Sequence, residues 1–205
     1  MIKDLKICGV SDPETLNYIL NHHNPPNFIG FITNYKKSKR FVKYEKLKDL
    51  INVDKKNVSF VSVLVNPNDE ILEKIKDLNF DYYQLYDVDP ERTEEIKTKY
   101  KIKIITAITV SSKDDVIKYK NYSDISDMIL FDSKGYHKSE SFDHNLLNDV
   151  AKKINKMIAG NIQIDDIPNL KNKDFIIDLS GALEDQNGKK DINKIDKLLN
   201  LFKKI

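Results

Sequence analysis

Short β-branched runs alternate with charged, helix-period segments along this whole chain, and few folds accept that alternation. Strand candidates fall at 5–9, 28–32, 58–65, 82–86, 102–109, 127–132, 156–159 and 175–178. Helix candidates fill the gaps at 12–23, 43–52, 68–78, 89–100, 112–120, 143–154, 162–169 and 190–203. Asp12-Pro13-Glu14 and Asp89-Pro90-Glu91 each set a capping Asp before a first-turn proline. Asn66-Pro67-Asn68-Asp69-Glu70 and Ser111-Ser112-Lys113-Asp114 are further cap-like starts. Strands spaced by helices pair in parallel. Eight such units in 205 residues leave about 25 residues each, the lower end for a (β/α)8 barrel. A doubly wound open sheet competes, but with about six strands it leaves two units over. No linker or composition shift divides the chain. The expected fold is therefore α/β, a single (β/α)8 TIM barrel forming one domain over residues 1–205.

Composition narrows the partners. Lys and Arg (34) nearly cancel Asp and Glu (32), so charge predicts neither a nucleic-acid nor a membrane partner. One cysteine forms no internal disulfide, which fits a reducing compartment. The start, MIKDLKICGV, lacks the apolar core of a signal peptide, and the longest apolar strands are too short for a bilayer. The expectation is a cytoplasmic protein, monomeric by default.

Barrel enzymes place their sites at the carboxyl ends of the strands. Five of the six glycines follow or end candidate strands: Gly9, Gly135, Gly160, Gly181 and Gly188. Strand alternation sorts the residues near that mouth. If Leu5 and Ile7 pack against helices, Lys6 and Cys8 point inward. Met128, Leu130 and Asp132 share one face of the sixth strand; Ile176, Asp178 and Ser180 share one of the eighth; Tyr82, Gln84 and Tyr86 share one of the fourth. Cys8, Asp132, Asp178, Lys6 and Gln84 therefore converge. Each has a plainer alternative: a lone cysteine is often inert, a strand-end Asp often caps a helix, and a buried Lys often forms a structural ion pair. Lys6 is costly to bury unpaired, and closure sets the eighth strand beside the first, so Asp178 is its expected partner.

An anion site is also expected. Gly160 and Asn161 end the seventh strand, and Ser180 and Gly181 end the eighth before a short extra helix, the usual phosphate cradle of this fold. The run Lys36-Lys37-Ser38-Lys39-Arg40 follows the second strand, where the planar fork of Arg40 suits a carboxylate. His137 and His144 lack metal-ligand spacing, so no metal site is expected.

These residues resemble a family. LKICGV followed by SDPE, KSKRFV after the second strand, ILFDSKGY, IAGNI, IIDLSGALE and the later GKKDINKI resemble phosphoribosylanthranilate isomerase of tryptophan biosynthesis, in order and over nearly the whole chain. The resemblance implies an Amadori rearrangement of N-(5′-phosphoribosyl)anthranilate, a phosphorylated small-molecule substrate, without metal or organic cofactor. It implies Asp132 as the general acid that opens the ribose ring and Cys8 as the general base at C2′. It further implies Arg40 on the anthranilate carboxylate and Asp178 near the ring or amine. A thiol acts as a base only as thiolate, so Cys8 calls for positive charge nearby; Lys6 is the candidate and Asp178 opposes it. A carboxylic acid that donates a proton calls for an environment that holds its pKa up.

Two stretches depart from the family pattern. The family's QLHG reads Gln84-Leu85-Tyr86-Asp87 here, and its glycine-rich loop before FDW is replaced around His137–Ser141. The alternatives are an isomerase of another phosphorylated aminoaldose, or a non-catalytic descendant that keeps the phosphate site. Cys8 and Asp132 on opposite walls with room between for a ribose favour catalysis; Tyr86 or Glu140 filling that space favours the last of these.

Overall fold

The eight strands close into one parallel barrel in sequence order, β1 to β8 and back to β1, in a computed structural model that describes residues 2–133, 141–170 and 174–202. They run β1 Asp4–Cys8, β2 Phe28–Ile32, β3 Ser59–Val65, β4 Tyr82–Tyr86, β5 Lys103–Val110, β6 Met128–Ser133, β7 Lys156–Ile158 and β8 Ile176–Leu179. The helices are α1 Pro13–Asn21, α2 Tyr44–Leu50, α3 Asp69–Ile75, α4 Pro90–Tyr100, α5 Lys113–Ile117, α6 Ile167–Leu170 and α7 Ile192–Phe202. The capping signals act as expected: Asp12 accepts from Thr15 N at 2.9 Å, Asn68 from Ile71 N at 3.0 Å, and Asp89 from Arg92 N at 2.7 Å.

The pleat divides the apolar residues into two cores. Cys8, Phe28, Val61, Val63, Tyr82, Ile105, Met128, Leu130, Met157 and Ile176 fill the barrel interior. Leu5, Ile7, Ile29, Phe31, Phe60 and their alternating counterparts face the helices. Leu5 and Ile7 thus pack outward, and Lys6 and Cys8 are inside. Register sets Lys6 opposite Asp178 across the β1–β8 seam and Cys8 opposite Gly30 across β1–β2.

One helix expectation fails. Residues 143–154 make a single 3₁₀ turn, His144–Leu147, followed by irregular chain. Leu147, Val150 and Ile154 are buried at the predicted helical spacing. Their backbone closes through i→i+3 bonds instead, such as Val150 N to Leu147 O at 3.0 Å. Asn145, Asn148 and Asp149 compete for backbone groups and favour turns, so burial of the stripe does not carry a helix with it. The expected helix at 162–169 likewise splits into a 3₁₀ turn, Ile164–Asp166, and the short α6. Gly135 and residues 137–140, on which the altered loop falls, lie outside the described residues.

Candidate active site

The centre of the mouth is a buried ion pair. Lys6 Nζ donates to Asp178 Oδ2 at 2.7 Å, with side-chain exposures of 0% and 5%. Desolvation pulls the Lys6 pKa down, but the Asp178 carboxylate and the Cys8 thiol more than offset it, so Lys6 stays charged. Asp178 Oδ1 is buried without a hydrogen-bond partner among the described residues, leaving one acceptor unused.

Cys8 lies beside this pair because Gly30 leaves room. A β-carbon at Gly30 would lie 2.9 Å from Cys8 Sγ and 3.1 Å from Lys6 Nζ, so any side chain there would displace thiol or ammonium. Gly30 was not legible as a site residue: a glycine within a strand signals a close approach, but not what approaches. Burial pushes the Cys8 thiol up; Lys6 pulls it down and Asp178 adds to the rise, with the net shift upward. The lowered pKa expected from Lys6 is thus not realised, because desolvation penalises the thiolate and Asp178 cancels much of the lysine's field.

Asp132 is the penultimate residue of β6, three strands from β1 around the ring through β7 and β8. Burial raises its pKa to about 6, with Tyr86 opposing and Asp178 reinforcing the rise. This is the environment expected of a proton donor. Its Oδ1 accepts from Ser133 N at 2.8 Å and its Oδ2 from the Tyr86 hydroxyl at 2.8 Å. Gln84 Nε2 donates to the same hydroxyl at 3.2 Å. Tyr86, where the resembling family has histidine, therefore sits directly against Asp132.

On the other side, Arg40 reaches the mouth over Gly9. Gly9 has φ +79°, and a β-carbon there would overlap the Arg40 side chain at 2.3 Å, so glycine serves both the turn and the approach. Arg40 Nε and Nη2 donate to Glu184, the latter at 2.9 Å. Those bonds use one edge of the guanidinium, and the other edge carries further N–H donors. Burial works against the Glu184 charge, but Arg40 and Lys190 hold its pKa below the ordinary value. Lys190, with a side-chain exposure of 2%, donates to Glu184 Oε1 at 2.9 Å and to Ser180 O at 2.9 Å. The Ser180 hydroxyl donates to Cys8 O at 3.0 Å. Glu184 and Lys190 were missed as site residues. Both stand in the stretches that carry the family resemblance, which was the available signal.

The expected phosphate residues come together in part. Gly160 (φ +96°) and Asn161 (φ +52°) are consecutive left-handed residues, a turn that gathers backbone N–H groups on one side. A β-carbon on Gly160 would meet Ser133 Oγ at 2.4 Å, and that hydroxyl is buried with no partner among the described residues. After β8 the extra helix is a single 3₁₀ turn, Gly181–Leu183, whose first N–H groups have no partner within the turn. The Ser180 proton is committed to Cys8 O, so its hydroxyl has no proton left to donate. Among the described residues, no His, Cys, Asp or Glu cluster could hold a metal ion, and no helix is long and apolar enough to cross a membrane.

Comparison with known proteins agrees with this geometry. The sequence model of the family described as N-(5′phosphoribosyl)anthranilate (PRA) isomerase matches residues 5–201. N-(5′-phosphoribosyl)anthranilate isomerase of Agrobacterium fabrum is 30% identical over 207 aligned positions, covering 96% of this chain and 93% of that protein. The enzyme of the same name from Rhizobium johnstonii is 30% identical, covering 100% and 96%. Among solved structures, phosphoribosyl anthranilate isomerase from Thermotoga maritima superposes with a TM-score of 0.86 at 25% identity, covering 100% of both chains.

Proposed function

The chain belongs to the N-(5′-phosphoribosyl)anthranilate isomerase family, and from that premise we propose that Asp132 and Cys8 are its acid and base. The reaction is the Amadori rearrangement of N-(5′-phosphoribosyl)anthranilate in tryptophan biosynthesis. The observation that carries the residue assignment is the placement of the two groups near the carboxyl ends of β1 and β6, at one barrel mouth. Asp132 is buried with its pKa held at about 6, and Cys8 is buried beside the Lys6 ammonium, which opposes the rise in its pKa.

Asp132 gives its proton to the furanose ring oxygen as the C1′–O bond breaks, and the anilino nitrogen's lone pair forms the iminium. Cys8 then removes the C2′ proton, giving an enolamine that tautomerises to the ketone. The resting Cys8 pKa is raised by burial, so the order of these steps matters. The iminium formed by the acid adds positive charge beside Cys8 to that of Lys6 and Lys190, and so favours the thiolate when it is needed. Arg40, held by Glu184, receives the anthranilate carboxylate. Asp178, anchored by Lys6, faces the ribose or amine with its open oxygen, and Gln84 lines the opposite wall. The backbone at Gly160, Asn161, Ser180 and Gly181 receives the phosphate.

Tyr86 beside Asp132 is the feature that would suit a non-catalytic descendant, and Glu140 lies outside the described residues. A hydroxyl that hydrogen-bonds the acid is equally compatible with turnover, so the two readings separate by assay. With freshly prepared phosphoribosylanthranilate, Cys8→Ala and Asp132→Asn each lower kcat by about 10²–10⁴-fold with little change in KM. An inactive wild type, or either variant turning over at the wild-type rate, would overturn the assignment.

A further inference from the structure

Gln84, Tyr86 and Asp132 form a connected chain in which the middle member can serve either protonation state of the last. Gln84 is almost wholly buried, and its Oε1 finds no hydrogen-bond partner among the described residues. Its Nε2 donates to the Tyr86 hydroxyl at 3.2 Å, so the hydroxyl proton is directed at Asp132 Oδ2, 2.8 Å away. This arrangement suits a charged carboxylate. When Asp132 carries its proton, one of two donors pointing at the other must turn. A hydroxyl has one proton and two lone pairs, and a primary amide offers either a donor or an acceptor from the same position. Reversal of the amide brings Oε1 to the hydroxyl, which then donates to Gln84 and accepts from protonated Asp132. Neither state leaves the acid's Oδ2 without a partner.

We propose that Tyr86, backed by Gln84, is a positioning residue that holds Asp132 in one orientation through both halves of its proton cycle. The inference rests on Asp132 being the general acid. Tyr86 takes no proton from substrate; it fixes which carboxylate oxygen is presented and how tightly the proton is held. Among the described residues, the other ionisable groups facing Asp132 are Lys6 from β1 and Asp178 from β8, with Cys8 and Asp178 acting on Tyr86. The neighbouring strands β5 and β7 offer it Ala107, Thr109 and Met157, none of which titrates.

The test is the pH profile of kcat at saturating substrate for the wild type, Tyr86→Phe and Tyr86→His, with melting temperature as the check on folding. A general acid must be protonated, so activity falls as pH rises through its pKa. The phenylalanine variant loses both bonds, of which the one to charged Asp132 is the stronger, so the alkaline limb moves up by about 0.5–1 pH unit. Its plateau kcat falls about tenfold while KM changes less than about twofold. The histidine variant restores a ring N–H donor and recovers about half or more of the plateau. Gln84→Met, of similar size, moves the limb in the same direction by less. An unmoved limb in Tyr86→Phe, a loss confined to KM, or a histidine variant no better than phenylalanine overturns the proposal. Asp132→Asn in the same assay separates the two readings. If it retains turnover, the acid assignment fails. If it is inactive while the Tyr86→Phe limb stays in place, only the positioning role fails.

Discussion

The two walls of the barrel mouth rest on different physics. On the β8–β1 side the contacts are ionic and interlocked: Lys6 with Asp178, Arg40 and Lys190 with Glu184, and Ser180 tying the β8 turn to the Cys8 carbonyl. On the β4–β6 side two uncharged side chains lead to a single carboxylate. In the first wall, losing Lys6 or Asp178 strands a buried charge. The second can change residue type as long as a donor reaches Asp132. The departure from the family pattern at Tyr86 falls on the second wall, beside Asp132.

The comparison breaks most readily at Lys6. Lys6→Met leaves Asp178 buried without its partner and costs about 3–5 kcal/mol in urea unfolding. The double variant Lys6→Met/Asp178→Leu recovers most of that stability but stays inactive. Equal stability of the single variant and the wild type would show that the pair does not organise this wall.

A smaller effect of opposite sign is expected across the mouth. Asp132 holds its proton more tightly in the folded state, with a pKa of about 6, than in the unfolded chain. The stability contributed by the protonated carboxyl is therefore full below about pH 4 and lost as pH rises through about 6. Asp132→Asn, which carries no such charge, is more stable than the wild type at pH 7.5 by about 1–3 kcal/mol. Thermal melts at pH 4 and 7.5 test this: the gap between the two proteins should open as pH rises, and a constant gap would contradict it.

The smallest of the three effects sharpens the ionic wall. Glu184→Gln keeps the shape beside Arg40 but loosens its hold, so KM rises about tenfold while kcat stays within about threefold. A fall in kcat with KM unchanged would instead place Glu184 in the chemical step.

Much of this is legible in the sequence. Alternation along β1 sent Lys6 and Cys8 inward, and ring closure alone named Asp178 as the lysine's partner. The caps at Asp12, Asn68 and Asp89 began their helices as expected. Where reading failed, the deciding contact lay far along the chain or in the solvent balance. The segment 143–154 was expected to be helical, yet its backbone closes in i→i+3 turns. Glu184 matters because it meets Arg40, 144 positions away. Tyr86 matters because it meets Asp132, 46 positions away.

The sequence by itself determined the repeated βα unit, the order of strands around the ring, and which side chains face the mouth, because periodicity and capping are local. The tertiary structure decided that Gly30 makes space for Cys8, that Cys8 rests with a raised pKa, and that Asp132 answers to Tyr86. Those outcomes depend on desolvation and on close approach between distant strands, and both exist only once the barrel has closed.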